Sequence, residues 1–277
     1  MRVYLSVDME GIAGISHPGP TSRGDDGYPA AVELMVGEAN AAIEGALEAG
    51  AAEVVVNDSH GEMYNLTPGA MHPAAKLVQG KKPYSMVESA RVGSFDVALF
   101  VGYHTRAGHP RGTIAHTYSG RPTLTALNGR PVGETGINAL YLGALGVPVG
   151  LVTGDDALSE EVAEWLPWAE RVTVKRAVGW RAAESVHPTW ARELVREGAR
   201  RAVSRARGDG EPFQPLRLEP PIRVLLEFTD PGQADYAGLI PGFARAGDRG
   251  ITYETDDPVE CFRAFVSAIR LSGLASG

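Results

Sequence analysis

The sequence predicts an α/β fold: a doubly wound, mostly parallel sheet with helices on both faces, followed by a smaller C-terminal α+β two-layer domain. Two observations lead to this prediction. Strand-like and helix-like segments alternate over the first 155 residues. The central strand-like runs are continuously apolar, which is typical of parallel strands covered on both faces. The chain of 277 residues is long enough for two cores, and we expect domains at 1–168 and 169–277.

The elements of the first domain follow from local patterns. Residues 2–7, RVYLSV, are rich in β-branched and aromatic side chains and predict the first strand. Residues 30–49 repeat apolar side chains at helical spacing, and Gly50 follows where a helix cap is expected. The remaining predicted elements are strands at 52–58, 96–103 and 146–154, strands or a hairpin near 113–133, and a helix near 134–145.

The segments of the second domain are mixed in type. Its last helix is signalled by DPVE at 257–260, where Asp257 is a suitable N-cap and Pro258 suits the first turn. The other predicted elements are strands near 171–175, 221–228 and 250–255, a helix near 188–206, and a short helix after Gly232.

Composition excludes some classes of function. The net charge of −8 argues against a general nucleic-acid binder, which usually carries a basic face. A single cysteine, Cys261, cannot form an internal disulfide, and no apolar run approaches the length of about 18 residues that a membrane span needs. The first apolar run ends at Asp8 and is too short for a secretory signal. We therefore expect a cytoplasmic protein that binds neither nucleic acid nor membranes.

Polar residues with metal-binding chemistry follow three of the predicted strands. Asp8 and Glu10 follow the first strand, His60 the second and His104 the third. Because ligands bind at the carboxyl ends of strands in open α/β sheets, these side chains are expected at one edge. Carboxylates and neutral imidazoles suit Zn²⁺ and its neighbours. Each residue alone is more often a turn former or a structural histidine, but the combination predicts a metal site in the first domain.

The histidines divide into two groups. Four of the seven directly precede proline, a position that favours extended or turn geometry and that fits loop residues. The other three are His60, His104 and His116, so these are the histidines with the stronger claim to a functional role.

Several motifs occur together in an order and at intervals that resemble one known family. They are SVDMEG (6–11), NDSH (57–60), GYH (102–104), RPVGETG (130–136) and TGDD (153–156). The combination resembles the zinc-dependent D-aminopeptidase family, some of whose members are called dipeptide transport proteins. The resemblance spans nearly the whole chain, and the motifs together are far more specific than any one of them.

The resemblance implies a site with two zinc ions per subunit. Asp8 would bridge both ions. Glu10 and His60 would complete the protein ligands of one ion. His104 and Glu134 would complete those of the other. From the residues alone, Glu134 would be taken for an acid that stabilises the start of a helix, so its role as a ligand comes from the resemblance.

The resemblance also assigns a catalytic role to His116, which falls where the family has its proposed catalytic histidine. In a peptidase reaction this side chain could donate to the oxyanion or protonate the leaving amine. The family further implies a preference for D-residues at the amino end and assembly into a homo-oligomer, a ring-shaped decamer.

The predicted function is a metal-dependent aminopeptidase that removes the N-terminal residue of short, D-amino-acid-containing peptides, using hydroxide generated at a dinuclear zinc site. One alternative is a dinuclear metal phosphoesterase, for which Arg106 and Arg111 are candidate phosphate ligands. A second is a non-catalytic peptide-binding component of a transport system, which would not need a two-metal cluster.

Overall fold

The structure is a computed structural model that describes residues 1–92, 94–208 and 210–275. The helices are α1 (Tyr28–Glu48), α2 (Glu134–Ala144), α3 (Asp156–Trp165), α4 (Pro188–Ala206), α5 (Pro231–Ala237) and α6 (Pro258–Ser272). The strands are β1 (Arg2–Val7), β2 (Glu53–Asp58), β3 (Ala75–Val78), β4 (Val97–Val101), β5 (Pro122–Leu127), β6 (Arg130–Pro131), β7 (Val149–Asp155), β8 (Glu170–Gly179), β9 (Ala182–Ser185), β10 (Ile222–Phe228), β11 (Ala244–Ala246) and β12 (Gly250–Thr255). Within these ranges, no helix combines the length and the apolar character needed to cross a membrane.

The larger sheet has the strand order β3-β2-β1-β4-β7-β8-β9. Its neighbouring strands are parallel except for β8 and β9, an antiparallel pair at one edge. Helices α1 and α4 pack on one face, against the buried side chains of Val3 and Leu5. Helices α2 and α3 pack on the other face, in the same core as Tyr4. The predicted doubly wound, mostly parallel sheet with helices on both faces is therefore confirmed.

The smaller sheet is antiparallel, with the order β11-β12-β10-β5-β6. Val224 and Leu226 of β10 share a core with Phe262 of α6, so helix and sheet form two layers. Strands β5 and β6 form a hairpin through Asn128 and Gly129, whose φ values of 48° and 78° suit a two-residue turn. The predicted second unit with α+β two-layer architecture is confirmed.

The two sheets are interleaved along the chain. Strands β5 and β6 precede residue 168 but belong to the smaller sheet, whereas β8 and β9 follow it and extend the larger sheet. The strand expected near 171–175 is β8, and its assignment to the second unit was wrong, because it pairs with β7. The division of the chain into folding domains at residues 168 and 169 stays a prediction.

Strand register brings the predicted site residues to one edge of the larger sheet. Val7 of β1 pairs with Asp58 of β2 on one side and with Val101 of β4 on the other, so the three strands end level with one another. The loops beyond them are in close backbone contact. A Cβ atom on Gly11 would lie only 1.9 Å from the carbonyl oxygen of Tyr103, so glycine is required where the first and third loops meet.

Candidate metal centre

Asp8 and Glu10 converge on one nitrogen of His60. The Nδ1 atom of His60 lies 3.2 Å from Asp8 Oδ1 and 3.0 Å from Glu10 Oε2, and all three residues are buried. The other ring nitrogen, Nε2, is 2.8 Å from the carbonyl oxygen of Thr21 and donates to it. When the ring is neutral, that hydrogen bond keeps the proton on Nε2 and turns the Nδ1 lone pair towards the carboxylates, which is the arrangement that a metal-binding histidine requires.

His104 is oriented in the same manner but through the opposite ring nitrogen. Its Nδ1 atom donates to the carbonyl oxygen of Thr105 at 3.0 Å. Its Nε2 atom lies 3.5 Å from Asp8 Oδ2 and 3.4 Å from Glu134 Oε1, and it has no hydrogen-bond partner among the described residues. A buried nitrogen that faces two carboxylates without a hydrogen bond is suited to bind a metal ion between them.

Glu134 is the first residue of α2, where the helix dipole favours a carboxylate. Its Oε1 atom accepts a hydrogen bond from the backbone N–H of Tyr118 at 2.6 Å and also faces His104. Burial raises the pKa of Glu134, but the imidazole of His104 outweighs that effect and lowers it, so the carboxylate form is favoured. The side chain of Glu134 therefore stabilises the start of α2 and is also positioned to bind a metal ion.

His116 lies against the same cluster. Its ring stacks on that of His104, with 4.0 Å between ring centroids, and its Nε2 atom is 3.8 Å from Glu134 Oε1. Its Nδ1 atom donates to the carbonyl oxygen of Ile114 at 2.8 Å, so Nε2 carries the lone pair in the neutral ring. Burial and the neighbouring His104 lower the pKa of His116. The ring is therefore neutral near pH 7, with an unprotonated Nε2.

The segment that carries His116 is held by the tip of the β8–β9 hairpin. The backbone N–H of Ile114 donates to the carbonyl oxygen of Trp180 at 2.9 Å, and the indole N–H of Trp180 donates to the carbonyl oxygen of Ala115 at 3.1 Å. Ile114 has a φ of 53°, a left-handed conformation that is costly for a β-branched residue. The hairpin contacts maintain this conformation and thereby fix the position of His116.

The site concentrates negative charge in a buried place. Burial raises the pKa of Asp8 to about 7, and the neighbouring Glu10 carboxylate adds to that shift. Burial lowers the pKa of His104, but Glu134 and Asp8 outweigh it and raise this pKa to about 10. Protons on the imidazoles thus balance the carboxylates when no other cation is present. Metal ions bound to the neutral rings would supply the same compensation, so the donor set fits a metal centre.

The structure brings together all six residues singled out from the sequence. Ligand atoms of Asp8, Glu10 and His104 lie within 4.8 Å of one another. The same holds for His104, His116 and Glu134, and His60 contacts the first group through two carboxylates. The assignment of ligands to individual ions stays a prediction, because His104 belongs to both groups and His116 to one.

Sequence reasoning missed Glu161, which supports the site from α3. Its Oε2 atom accepts from the backbone N–H of Arg106 at 3.0 Å, and its Oε1 atom accepts from that of Gly133 at 3.1 Å. One buried carboxylate thus ties together the segments that carry His104 and Glu134. The available signal was an acid at helical spacing within an apolar stripe, three residues after Leu158.

The cluster opens into a cavity of about 980 Å³. This volume lies within the range that small-molecule sites occupy, so a short peptide is a suitable size of ligand. The walls beyond the cluster come from the loops after β1, β2 and β3, the segment before β5 and the last turns of α6. Among the described residues that line the cavity, neither Arg106 nor Arg111 occurs, and Arg111 pairs instead with Asp156 and Glu160.

Comparison with known proteins agrees with these observations. The family model described as D-aminopeptidase matches residues 1–267. A D-aminopeptidase of Bacillus subtilis (strain 168) is 36% identical over 276 residues, which cover 98% of each chain. The solved structure of the Zn-dependent D-aminopeptidase DppA from Bacillus subtilis, described as a self-compartmentalizing protease, matches with a TM-score of 0.92 and 34% identity, over 99% of this chain and 98% of the other. The resemblance found in the sequence motifs is therefore confirmed, and the chain belongs to the D-aminopeptidase family of peptidases.

Proposed function

We propose that this protein is a dinuclear zinc aminopeptidase that removes the N-terminal residue, preferentially a D-residue, from short peptides. The observation that carries the proposal is the pair of imidazole nitrogens, His60 Nδ1 and His104 Nε2. Each faces carboxylate oxygens, and each has its opposite ring nitrogen hydrogen-bonded to a backbone carbonyl. The zinc dependence of the relative with the same fold supports zinc as the metal.

The proposed ligand sets follow from which atoms face one another. The two oxygens of Asp8 face different histidines, Oδ1 towards His60 and Oδ2 towards His104, which suits a bridging ligand. Glu10 with His60 would complete one set, and His104 with Glu134 the other. Bound zinc supplies a Lewis acid that polarises the scissile carbonyl and lowers the pKa of water.

His116 is the proposed proton carrier. Its Nδ1–H is occupied by the carbonyl oxygen of Ile114, so Nε2 is the atom that exchanges protons with the cavity. Its lowered pKa keeps the ring neutral near pH 7 and makes it a ready proton donor once Nε2 has taken a proton from the attacking water. From that atom the proton can pass to the amine that leaves when the peptide bond breaks. The same N–H can donate to an oxyanion next to it.

The state of assembly is a further part of the proposal. The related structure is described as a self-compartmentalizing protease, and we infer that this chain also forms a homo-oligomer, a decamer by the family resemblance. Multi-angle light scattering of the purified protein would test this, since a mass near that of one chain, 29.4 kDa, would contradict it. The cytoplasmic location remains a prediction from the sequence.

The proposed activity is tested with three chromogenic substrates on the zinc-loaded protein. D-alanine p-nitroanilide should be hydrolysed faster than L-alanine p-nitroanilide, and p-nitrophenyl phosphate should not be hydrolysed. Hydrolysis of p-nitrophenyl phosphate alone would contradict the peptidase and support the phosphoesterase alternative. Tight binding of a D-alanyl peptide without any turnover would favour the transport component.

A further inference from the structure

One wall of the cavity carries unpaired positive charge. Lys82, Arg121 and Arg270 line the same cavity as Asp8 and Glu134, and in the described part of the chain none of the three cations forms an ion pair with a carboxylate. Lys81 makes a useful contrast, because it lines the cavity too but pairs with Glu62 at 2.6 Å. The buried Lys82 therefore lacks a counter-charge, and a ligand in the cavity can supply it to all three cations.

Of the three cations, Lys82 gives the strongest evidence for an anion-binding site. The residue is only 7% exposed, and its Nζ atom donates to the backbone carbonyl oxygen of Asp58 at 2.7 Å. An ammonium group has three donors, and within the described ranges this is the one hydrogen bond that Nζ makes. Burial lowers the pKa of Lys82 to about 8, which reflects the incomplete compensation of its charge. Buried charges are normally paired, so this one is arranged to receive an anion.

The two arginines extend the same wall. Nη2 of Arg270, in the last turn of α6, donates to the backbone carbonyl oxygen of Lys82 at 2.6 Å. Arg121 caps the end of α6, with its Nε atom donating to Ser272 Oγ and its Nη2 atom to the carbonyl oxygen of Ile269, both at 3.0 Å. Capping explains the position of Arg121, yet both guanidinium groups retain further N–H donors, and both residues line the cavity.

The wall is tied to a chain segment that also carries a candidate metal ligand. Lys82 Nζ is bonded to the carbonyl of Asp58, which precedes the candidate ligand His60 by two residues. Two residues of extended chain span at most ~7 Å, so the backbones of Asp58 and His60 are no farther apart than the ends of an extended dipeptide. A peptide whose amino end and scissile bond lie at the metal centre would thus place its other end beside Lys82.

We propose that Lys82, Arg270 and Arg121 form a subsite for the C-terminal carboxylate of a di- or tripeptide. This inference rests on the proposed aminopeptidase function and names the feature by which short peptides would be recognised. Lys82 and Arg270 are specificity-determining residues in this account, because they contact the end of the substrate and not the reacting bond. Planar guanidinium groups and a buried ammonium are suited to carboxylate recognition.

The test compares D-alanyl-glycine with D-alanyl-glycinamide, which differ only in the terminal carboxylate. For the zinc-loaded wild-type protein, kcat/KM should be about tenfold to a hundredfold higher for the acid than for the amide, the usual effect of one or two charge-assisted hydrogen bonds. In Lys82→Met the ratio of the two values should fall to near one. Arg270→Gln should reduce the ratio severalfold. Because Arg270 is exposed, this variant is expected to fold, and it keeps the test valid if Lys82→Met misfolds.

Lys76→Met is the matched control, because this lysine is 69% exposed and pairs with Glu53 away from the cavity. It should retain the wild-type ratio. Equal kcat/KM for the acid and the amide in the wild-type protein, or an unchanged ratio in both Lys82→Met and Arg270→Gln, would overturn the subsite. No hydrolysis of either peptide or of D-alanine p-nitroanilide by the wild-type protein would instead overturn the proposed function itself.

Discussion

Replacing Glu161 with glutamine tests how the metal centre is held together, because this one carboxylate joins two of its segments. It accepts hydrogen bonds from the backbone of Arg106, two residues after His104, and of Gly133, directly before Glu134. Glutamine has nearly the same shape but offers one acceptor oxygen instead of two. One of the two backbone N–H groups then loses its partner, and the two segments are no longer tied to each other.

The expected effect on metal binding is a loss of zinc affinity of about 10- to 100-fold at the half of the site formed by His104 and Glu134. That range is typical when a residue that orients metal ligands is replaced. The half formed by Glu10 and His60 should keep its affinity, because no hydrogen bond from Glu161 reaches it.

The same substitution weakens zinc binding but is expected to increase the free energy of unfolding of the metal-free protein at high pH. Burial raises the pKa of Glu161 from 4.5 to about 7, although the two backbone hydrogen bonds oppose the shift. The folded protein therefore binds this proton more tightly than the unfolded chain does. The associated stability is fully present below pH ~4.5 and is lost as the pH rises through 7, by about 3 kcal/mol at 1.36 kcal/mol per pKa unit. Glutamine imitates the protonated acid, so the metal-free variant should match wild type at pH 4.5 and exceed its stability at pH 8.

Two assays check these expectations. Competition with a chromophoric chelator gives the zinc affinities, and urea unfolding with excess chelator at pH 4.5 and pH 8 gives the free energies of unfolding. Glu160→Gln is the matched control, since that side chain is 67% exposed and pairs with Arg111, and it should change neither quantity beyond ~0.5 kcal/mol. Wild-type zinc affinity in Glu161→Gln at both halves of the site would refute the reasoning.

Three further substitutions probe the candidate site. His104→Ala should lower zinc content and abolish peptidase activity while far-UV circular dichroism stays unchanged, and full zinc retention by elemental analysis would contradict its role as a ligand. Trp180→Phe removes one hydrogen bond to the segment of His116 and should lower kcat about threefold to tenfold with little change in KM. An unchanged kcat would show that the β8–β9 hairpin does not position His116. Gly11→Ala places a Cβ atom 1.9 Å from the carbonyl oxygen of Tyr103 and should destabilise the fold by several kcal/mol in thermal or urea unfolding, and a neutral result would show that the loops are free to separate.

Much of the fold and of the site could be predicted from local patterns. The continuously apolar runs of β1, β4 and β7 indicated buried parallel strands, and the polar residues after them therefore had to meet at one edge. Asp8, Glu10, His60 and His104 were accessible to that reasoning. Glu134 was not, since it follows an exposed two-residue strand, and only the motif resemblance identified it as a ligand. His116 was singled out because no proline follows it, but its catalytic role came from the resemblance.

The remaining features depend on long-range contacts that no local pattern carries. The sequence places the β5–β6 hairpin in the first unit, but β5 pairs with β10, which lies about 100 residues later in the chain. The β8 strand was assigned to the second unit, although it pairs in parallel with β7, which precedes it across α3. Glu161 and Lys82 acquire their roles through backbone groups of Gly133 and Asp58, and sequence does not show where such groups point.

The central claim is that two metal ions share the carboxylate of Asp8. Anomalous diffraction at the zinc edge from crystals of the zinc-loaded protein tests this most directly. The account predicts two peaks, both in contact with Asp8, one also bound by Glu10 and His60 and the other by His104 and Glu134. A single peak, or two peaks of which one lies away from Asp8, would contradict it.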